Sequence, residues 1–288
     1  MTARRASVAD KRRTFRRLHA SGCFVIPNPW DLGSARFLQS LGFKALATSS
    51  SAFAWSQGRP DGGVGLQGVL EHLETLAAST DVPLNADFQD GFGADAAELA
   101  RNVGAAVATG IAGLSIEDAT GNADQPLYPL RVAVERIRSA RHAIDRVDAD
   151  TMLIGRAECF LVGPADLEET IARLCAYARA GADCVYAPGI RTREQIEAIV
   201  TAVAPTPVNV LMGTAVECSI PELAALGVRR VSVGGSLARV AWGAFTRAAR
   251  ALADQGSCAA FAEAMSSHEL NQFFSKDQEQ QRCDSGAP

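Results

Sequence analysis

The chain is expected to fold as an α/β protein, a (β/α)8 barrel with an extra helix at each end. Two observations carry that expectation. Eight short apolar runs, each followed by an amphipathic helical pattern, recur at intervals of roughly 20–40 residues, and strictly alternating βα units give parallel strands that close at eight. The rival architecture, an open doubly wound sheet, wants a Gly-x-Gly-x-x-Gly turn after its first strand; Pro27-Asn28-Pro29-Trp30 occupies that place. The resulting division is a basic N-terminal helix at 1–21, the barrel at 22–252, a helical appendage at 253–275 and a polar, disordered tail at 276–288.

Residues 1–21 hold seven Arg or Lys, while Val8, Phe15 and Leu18 fall on one helical face. That spacing predicts a short amphipathic helix packed on the body with its basic residues in water; a transit peptide or an RNA-binding arm is the other use of such a run. Cys23–Ile26 is the first buried strand, and Asp31 caps the helix after it. Ala45–Thr48 is the second strand, running into Ser49-Ser50-Ser51. From Trp55 to Gly68, five glycines, a proline and Asp61 predict a loop with room to open and close.

The third strand begins at Val82 and passes without a turn signal into Asn85-Ala86-Asp87-Phe88-Gln89-Asp90, released by Gly91-Phe92-Gly93. The fourth, Gly113–Ile116, ends in Glu117-Asp118, and the fifth, Met152–Ile154, ends in Gly155-Arg156-Ala157-Glu158. Capping signatures at Asp166/Glu169, Thr192/Gln195 and Ser219/Glu222 start the helices after strands five, six (Cys184–Ala187) and seven (Val208–Val210). Strand eight, Arg230–Val233, feeds Gly234-Gly235-Ser236 and a long helix. Phe261, Met265, Phe273 and Phe274 give the C-terminal appendage an apolar side suited to a neighbouring subunit.

Composition narrows the function. A 48% apolar, 21% charged chain supports an ample core. Outside the basic segment stand 21 basic against 31 acidic residues, a poor surface for nucleic acid. No run approaches the roughly 18 apolar residues of a membrane span, and no signal-peptide apolar region is present. Seven scattered cysteines without a C-x-x-C argue for reduced thiols in a cytoplasmic compartment, against a disulfide framework or zinc site.

In a barrel of this kind working residues lie at the carboxyl ends of the strands. Those ends supply Asn28, Ser49, Ser50, Asp87, Gln89, Asp90, Glu117, Asp118, Arg156, Glu158 and Asn209. The four histidines all fall in helices, which removes triad acyl transfer and His-ligated zinc. The side-chain oxygens of Asp87, Gln89 and Glu117 suit Mg²⁺ or Mn²⁺. Arg156 either meets an anionic substrate or pairs with Glu158 or Glu117. Ser49-Ser50-Ser51 offers backbone N–H groups to a carboxylate or is a plain turn. Gly234-Gly235-Ser236 could hold a phosphate, and Cys159 lies near the mouth. A metal, an arginine and no histidine suit chemistry on a small oxo acid through an enolate.

Taken in order, Asn28-Pro29-Trp30-Asp31-x-Gly33-Ser34-Ala35-Arg36, Ala47-Thr48-Ser49-Ser50 with Gly58-Arg59-Pro60-Asp61-Gly62, Asp87-Phe88-Gln89-Asp90-Gly91-Phe92-Gly93, Ser115-Ile116-Glu117-Asp118, Gly155-Arg156-Ala157-Glu158 and Gly181-Ala182-Asp183 resemble the isocitrate lyase/phosphoenolpyruvate mutase superfamily. The resemblance covers about Asn28 to Ala241. It implies a Mg²⁺-dependent enzyme with an enolpyruvate-type intermediate, a tetramer exchanging C-terminal helices between subunits. It implies Asp87 as nearest metal ligand, with Glu117 and the Gln89 position in its water shell. Ser49 and Ser50 would bind the substrate carboxylate, Arg156 its oxygens, and Asp61 would sit on the gating loop. Asn209, at the seventh strand end, is a further substrate-binding candidate.

Three positions depart from the family pattern. Gln89 stands where an acid is usual, and Ala119–Gln125 replaces the Lys-Lys-Cys-Gly-His loop of isocitrate and methylisocitrate lyases. Gly155-Arg156-Ala157-Glu158 replaces Ala-Arg-Thr-Asp. The expected activity is a lyase breaking a bond to C3 of a small 2-oxo acid or related dicarboxylate. The alternatives are a phosphonomutase and a homologue that binds a 2-oxo acid without turning it over.

Overall fold

The computed structural model describes residues 5–213 and 218–285. Helix α1 (Val8–Ala20), capped by Ser7, precedes β1 (Phe24–Ile26) and α2 (Leu32–Ser40). Then come β2 (Leu46–Ala47), α3 (Ser50–Ser56), α4 (Leu66–Ser79), β3 (Leu84–Asp87), α5 (Ala96–Ala108), β4 (Gly113–Glu117) and α6 (Leu130–Val147). The second half runs β5 (Met152–Arg156), α7 (Leu167–Arg179), β6 (Cys184–Tyr186), α8 (Arg193–Val203), β7 (Val208–Leu211), α9 (Ile220–Ala225), β8 (Arg230–Ser232) and α10 (Ser236–Gln255). A 3₁₀ turn (Ala259–Glu263) and α11 (Ser267–Ser285) complete it.

The eight strands are parallel and pair in sequence order, with β8 returning to β1. The remaining seam is drawn together by Ala47 N–H, which donates to Pro27 O at 3.0 Å, and by the Asn28 amide, which donates to Thr48 O at 2.8 Å. Helix starts follow the sequence signals: Asp31, Asp95, Asp166 and Thr192 each accept backbone N–H groups of their own first turns, satisfying donors the helix cannot pair internally. Apolar residues of the helices and the outer strand faces form one core, including Leu73, Leu99, Ile137, Leu174 and Ile196. A second, smaller cluster fills the barrel: Ile26, Ala45, Ala47, Met152, Ile154 and Cys184, with Phe15 of α1 inserted from the amino-terminal end.

The structure departs from the sequence reading in three places. Basic residues of α1 are not all in water: Lys11 and Arg12 are buried, Lys11 Nζ donating to Ala77 O at 2.8 Å and Arg12 Nη2 to Val107 O at 2.7 Å. Carbonyls at the C-terminal ends of α4 and α5 lack intrahelical partners and carry partial negative charge, which draws the cations in. Ser50–Ser56 is a helix rather than a turn, its N-cap Ser49 accepting from Ala52 N–H. Lys276–Ser285 is helical rather than disordered, the rest of the expected tail lying outside the described residues: α11 continues to Ser285, held on α2 by the Arg36–Asp277 ion pair and by Phe273 against Phe37 at 5.1 Å. Its Gln- and Glu-rich composition favours helix once that anchor exists. Among the described residues no helix is long and apolar enough to cross a membrane.

Candidate active site

Asp87, Glu117 and Arg156 are the last residues of β3, β4 and β5. Adjacent strands in register, with Glu117 opposite Arg156, bring them together at one rim. Arg156 Nη1 lies 3.2 Å from Asp87 Oδ1 and 3.0 Å from Glu117 Oε2, and its Nε pairs with Glu158. The second oxygen of Asp87 accepts from Ser50 N–H at 2.8 Å. Asp61 lines the same cavity as Ser50 and Asp87, and Ser50 offsets part of the rise in its proton affinity.

Electrostatics follow from this crowding. Asp61, Asp87, Glu117 and Glu158 surround one guanidinium. Burial, then repulsion from Glu158, Asp87 and Asp61, pushes Glu117 up to about 8 against the opposing pull of Arg156. Asp61 is raised by burial and by Asp87, and Glu158 is raised by burial. Arg156, surrounded by anions, is held more firmly protonated than usual.

Asp61, Asp87 and Arg156 line a cavity of about 210 Å³ with Asn28, Thr48, Ser49, Asn85, Ser115, Tyr186, Arg230 and Ser232, a volume for a few heavy atoms rather than a nucleotide. Gln89 lies in an adjoining cleft with Glu117, Asp61 and Glu158. Its φ of +49° is unusual for a residue with a side chain, and it is fixed by Glu117 N–H donating to its carbonyl at 2.9 Å. The release after it demands glycine: a Cβ on Gly93 would lie 2.4 Å from Leu99 N.

Among the described residues no three His, Cys, Asp or Glu side chains are arranged to hold an ion directly. The donors nevertheless fit a hydrated divalent cation. They are hard oxygens on Asp87, Glu117 and Gln89, gathered at a rim where burial and, less strongly, the neighbouring carboxylates raise the proton affinity of Glu117.

Other strand-end residues serve elsewhere. Asp90 accepts from Tyr128 and Arg136, and Asp118 from Arg173 and the Glu158 N–H, so both anchor loops. Asn209 is fully buried below the cavity, donating to Ser232 Oγ at 3.0 Å and accepting from Arg230 Nε at 2.8 Å. Cys159 is buried and its thiol is raised, the reverse of an activated thiolate. Gly234, Gly235 and Ser236 line a neighbouring vestibule with Arg191 and Arg239. Sequence reasoning missed Tyr186 and Arg230. Tyr186 ends β6, a strand-end position like the others, and its ring lies 5.3 Å below the Arg156 guanidinium.

Residues 15–253 match the phosphoenolpyruvate phosphomutase family. The chain belongs to the isocitrate lyase/phosphoenolpyruvate mutase superfamily. Among solved superfamily structures, a candidate lyase/mutase from Burkholderia cenocepacia J2315 superposes with a TM-score of 0.90 at 45% identity, covering 93% of this chain and 97% of that one. Oxaloacetate acetylhydrolase in complex with oxalate gives 0.83 at 27% identity, covering 96% and 98%. Oxaloacetate decarboxylase of Pseudomonas putida strain GB-1 is 32% identical over 238 residues, 80% of each chain. Superfamily membership supports lyase or mutase chemistry on small 2-oxo acids.

Proposed function

We propose that this superfamily member is a Mg²⁺-dependent lyase that breaks a bond to C3 of a small 2-oxo acid or related dicarboxylate. The observation that carries this is the meeting of Asp87, Glu117 and Glu158 on Arg156 at the mouth of a small closed-ended cavity. Two relatives whose names specify oxaloacetate, the decarboxylase and the acetylhydrolase, support the substrate class.

Asp87, with Glu117 and Gln89 through water, would hold the ion, which when bound supplies Lewis-acid stabilisation of negative charge on substrate oxygen. The chain's own groups do the remainder. Ser49 and Ser50 orient the substrate carboxylate at the start of α3. As the C3 bond breaks, its electron pair moves into the C2–C3 bond and charge develops on the C2 oxygen. The Arg156 guanidinium, fixed by its carboxylates, meets that charge without reorganising. Asp61, whose raised affinity for a proton comes from burial and Asp87, delivers a proton to C3 from its carboxyl oxygen. The 57–65 loop that carries it brings Asp61 to the wall of the cavity.

The test is turnover of a panel containing oxaloacetate, alkylated malates and phosphonopyruvate, with Mg²⁺ and with EDTA. The expectation is cleavage of a 2-oxo acid or hydroxy-dicarboxylate that EDTA abolishes and Mg²⁺ or Mn²⁺ restores. Turnover indifferent to EDTA overturns the metal's role. Rearrangement of phosphonopyruvate alone makes the protein a mutase, and ligand binding without turnover makes it a non-catalytic homologue.

A further inference from the structure

Arg230 opens β8, and its place in register opposite Asn209 sets it one inward-facing position below the rim residues. Its side chain is 3% exposed and spans the barrel: Nε donates to Asn209 Oδ1 on β7 at 2.8 Å and Nη1 to Asn85 Oδ1 on β3 at 3.4 Å. Small neighbours make the crossing possible. A Cβ on Gly113 would come within 3.0 Å of Asn85 Oδ1, and Ala45, Ala47 and Ala112 line the same interior.

What sets Arg230 apart is its lack of an anion. The other buried arginines each hold a carboxylate: Arg12 with Asp148, Arg36 with Asp277, Arg136 with Asp90 and Arg173 with Asp118. Arg230 forms no such ion pair among the described residues, and the titratable groups that face it are the phenol of Tyr186, the thiol of Cys184 and, from α1, the imidazole of His19. A guanidinium does not shed its charge to escape burial. An isolated buried cation is costly, and two amide oxygens return only part of its hydration. The group also borders the cavity, together with Asn85, Ser115 and Ser232. A charge so placed is compensated when an anion enters from above.

We propose that Arg230 is the floor of the substrate cavity and receives a second anionic group, so that the site takes a dicarboxylate standing end-on along the barrel axis. One carboxylate lies among Ser49, Ser50 and Arg156, and the other reaches down to Arg230, flanked by Ser115 and Ser232. Asn209 is a positioning residue that aims the guanidinium. This rests on the cavity being the substrate site, but it is read by binding and needs no turnover.

Malonate and succinate are titrated against acetate by calorimetry, in Mg²⁺ and in EDTA, on wild type, Arg230→Met and Arg230→Lys. The expected result is dicarboxylate affinity at least about tenfold above acetate in wild type, reduced to the acetate level in Arg230→Met and largely kept in Arg230→Lys. Wild-type crystals soaked in bromide should place an anomalous peak within hydrogen-bond reach of Arg230. Arg230→Met binding malonate as tightly as wild type overturns the proposal. So does a bromide soak with no peak at Arg230, which decides the matter if the Met variant fails to fold. Loss of lyase activity with these binding differences intact would instead remove the catalytic reading and leave the floor standing.

Discussion

Gln89 is the side chain at which this rim can be tuned most cleanly. It is isosteric with glutamate, its left-handed backbone is already accommodated, and it borders Glu117 in the adjoining cleft. Gln89→Glu adds an anion to the ion's hydration shell, and the expected outcome is a Mg²⁺ dissociation constant lower by about tenfold, the scale of outer-shell effects. Titrating Mg²⁺ against the melting temperature measures it, and an unchanged constant would remove Gln89 from the metal's surroundings. Asp87, Glu117 and Arg156 were legible in the sequence because a strand that ends in charge puts that charge at the barrel mouth. Arg230 was not. It follows Arg229 at a strand start, and only the pleat parity set by its register with Asn209 decides which of the two points inward.

The elements that hold the barrel also set its acid limit. His19 of α1 packs edge-on against Phe15 and Phe24, and His72 of α4 stacks on Phe53 at 3.8 Å. Burial pushes His19 down to about 3, with Arg230 adding to the effect, and pushes His72 down to about 4. Both titrate near 6.5 when unfolded, so between those values the unfolded chain binds more protons. Their contribution is therefore whole above pH 6.5 and is lost as pH falls through the folded values. Wild-type melting temperature should drop on acidification from pH 6.5 to 4, and His72→Phe, which keeps a ring on Phe53, should flatten that drop. An equal slope in both proteins would contradict the assignment. Strands and caps were readable because period and cap chemistry are local. α3 is only seven residues long, and α11 depends on Asp277 meeting Arg36, 241 positions away, a contact no local pattern announces.

At the scale of the molecule, α10 leaves large apolar side chains in water: Val240 is 70% exposed and Phe245 61%, with Trp242 and, beyond the helix, Phe261 and Met265 also exposed. Exposure of this kind marks a partner surface, and the expectation carried by the family resemblance is that the partner is another copy of the chain. Light scattering should give a mass several times that of one chain, and Phe245→Glu should shift it toward the monomer; a wild-type monomer would end the expectation. The stopper formed by Phe15 and Leu18 of α1 beneath the strands has its own bearing on turnover. It makes the tube blind, with a single doorway for arrivals and departures. On the lyase reading proposed above, the fragment nearer the door would have to go first, and the one lodged deeper would block the next molecule. Its accumulation would then throttle turnover as a rival of the substrate itself.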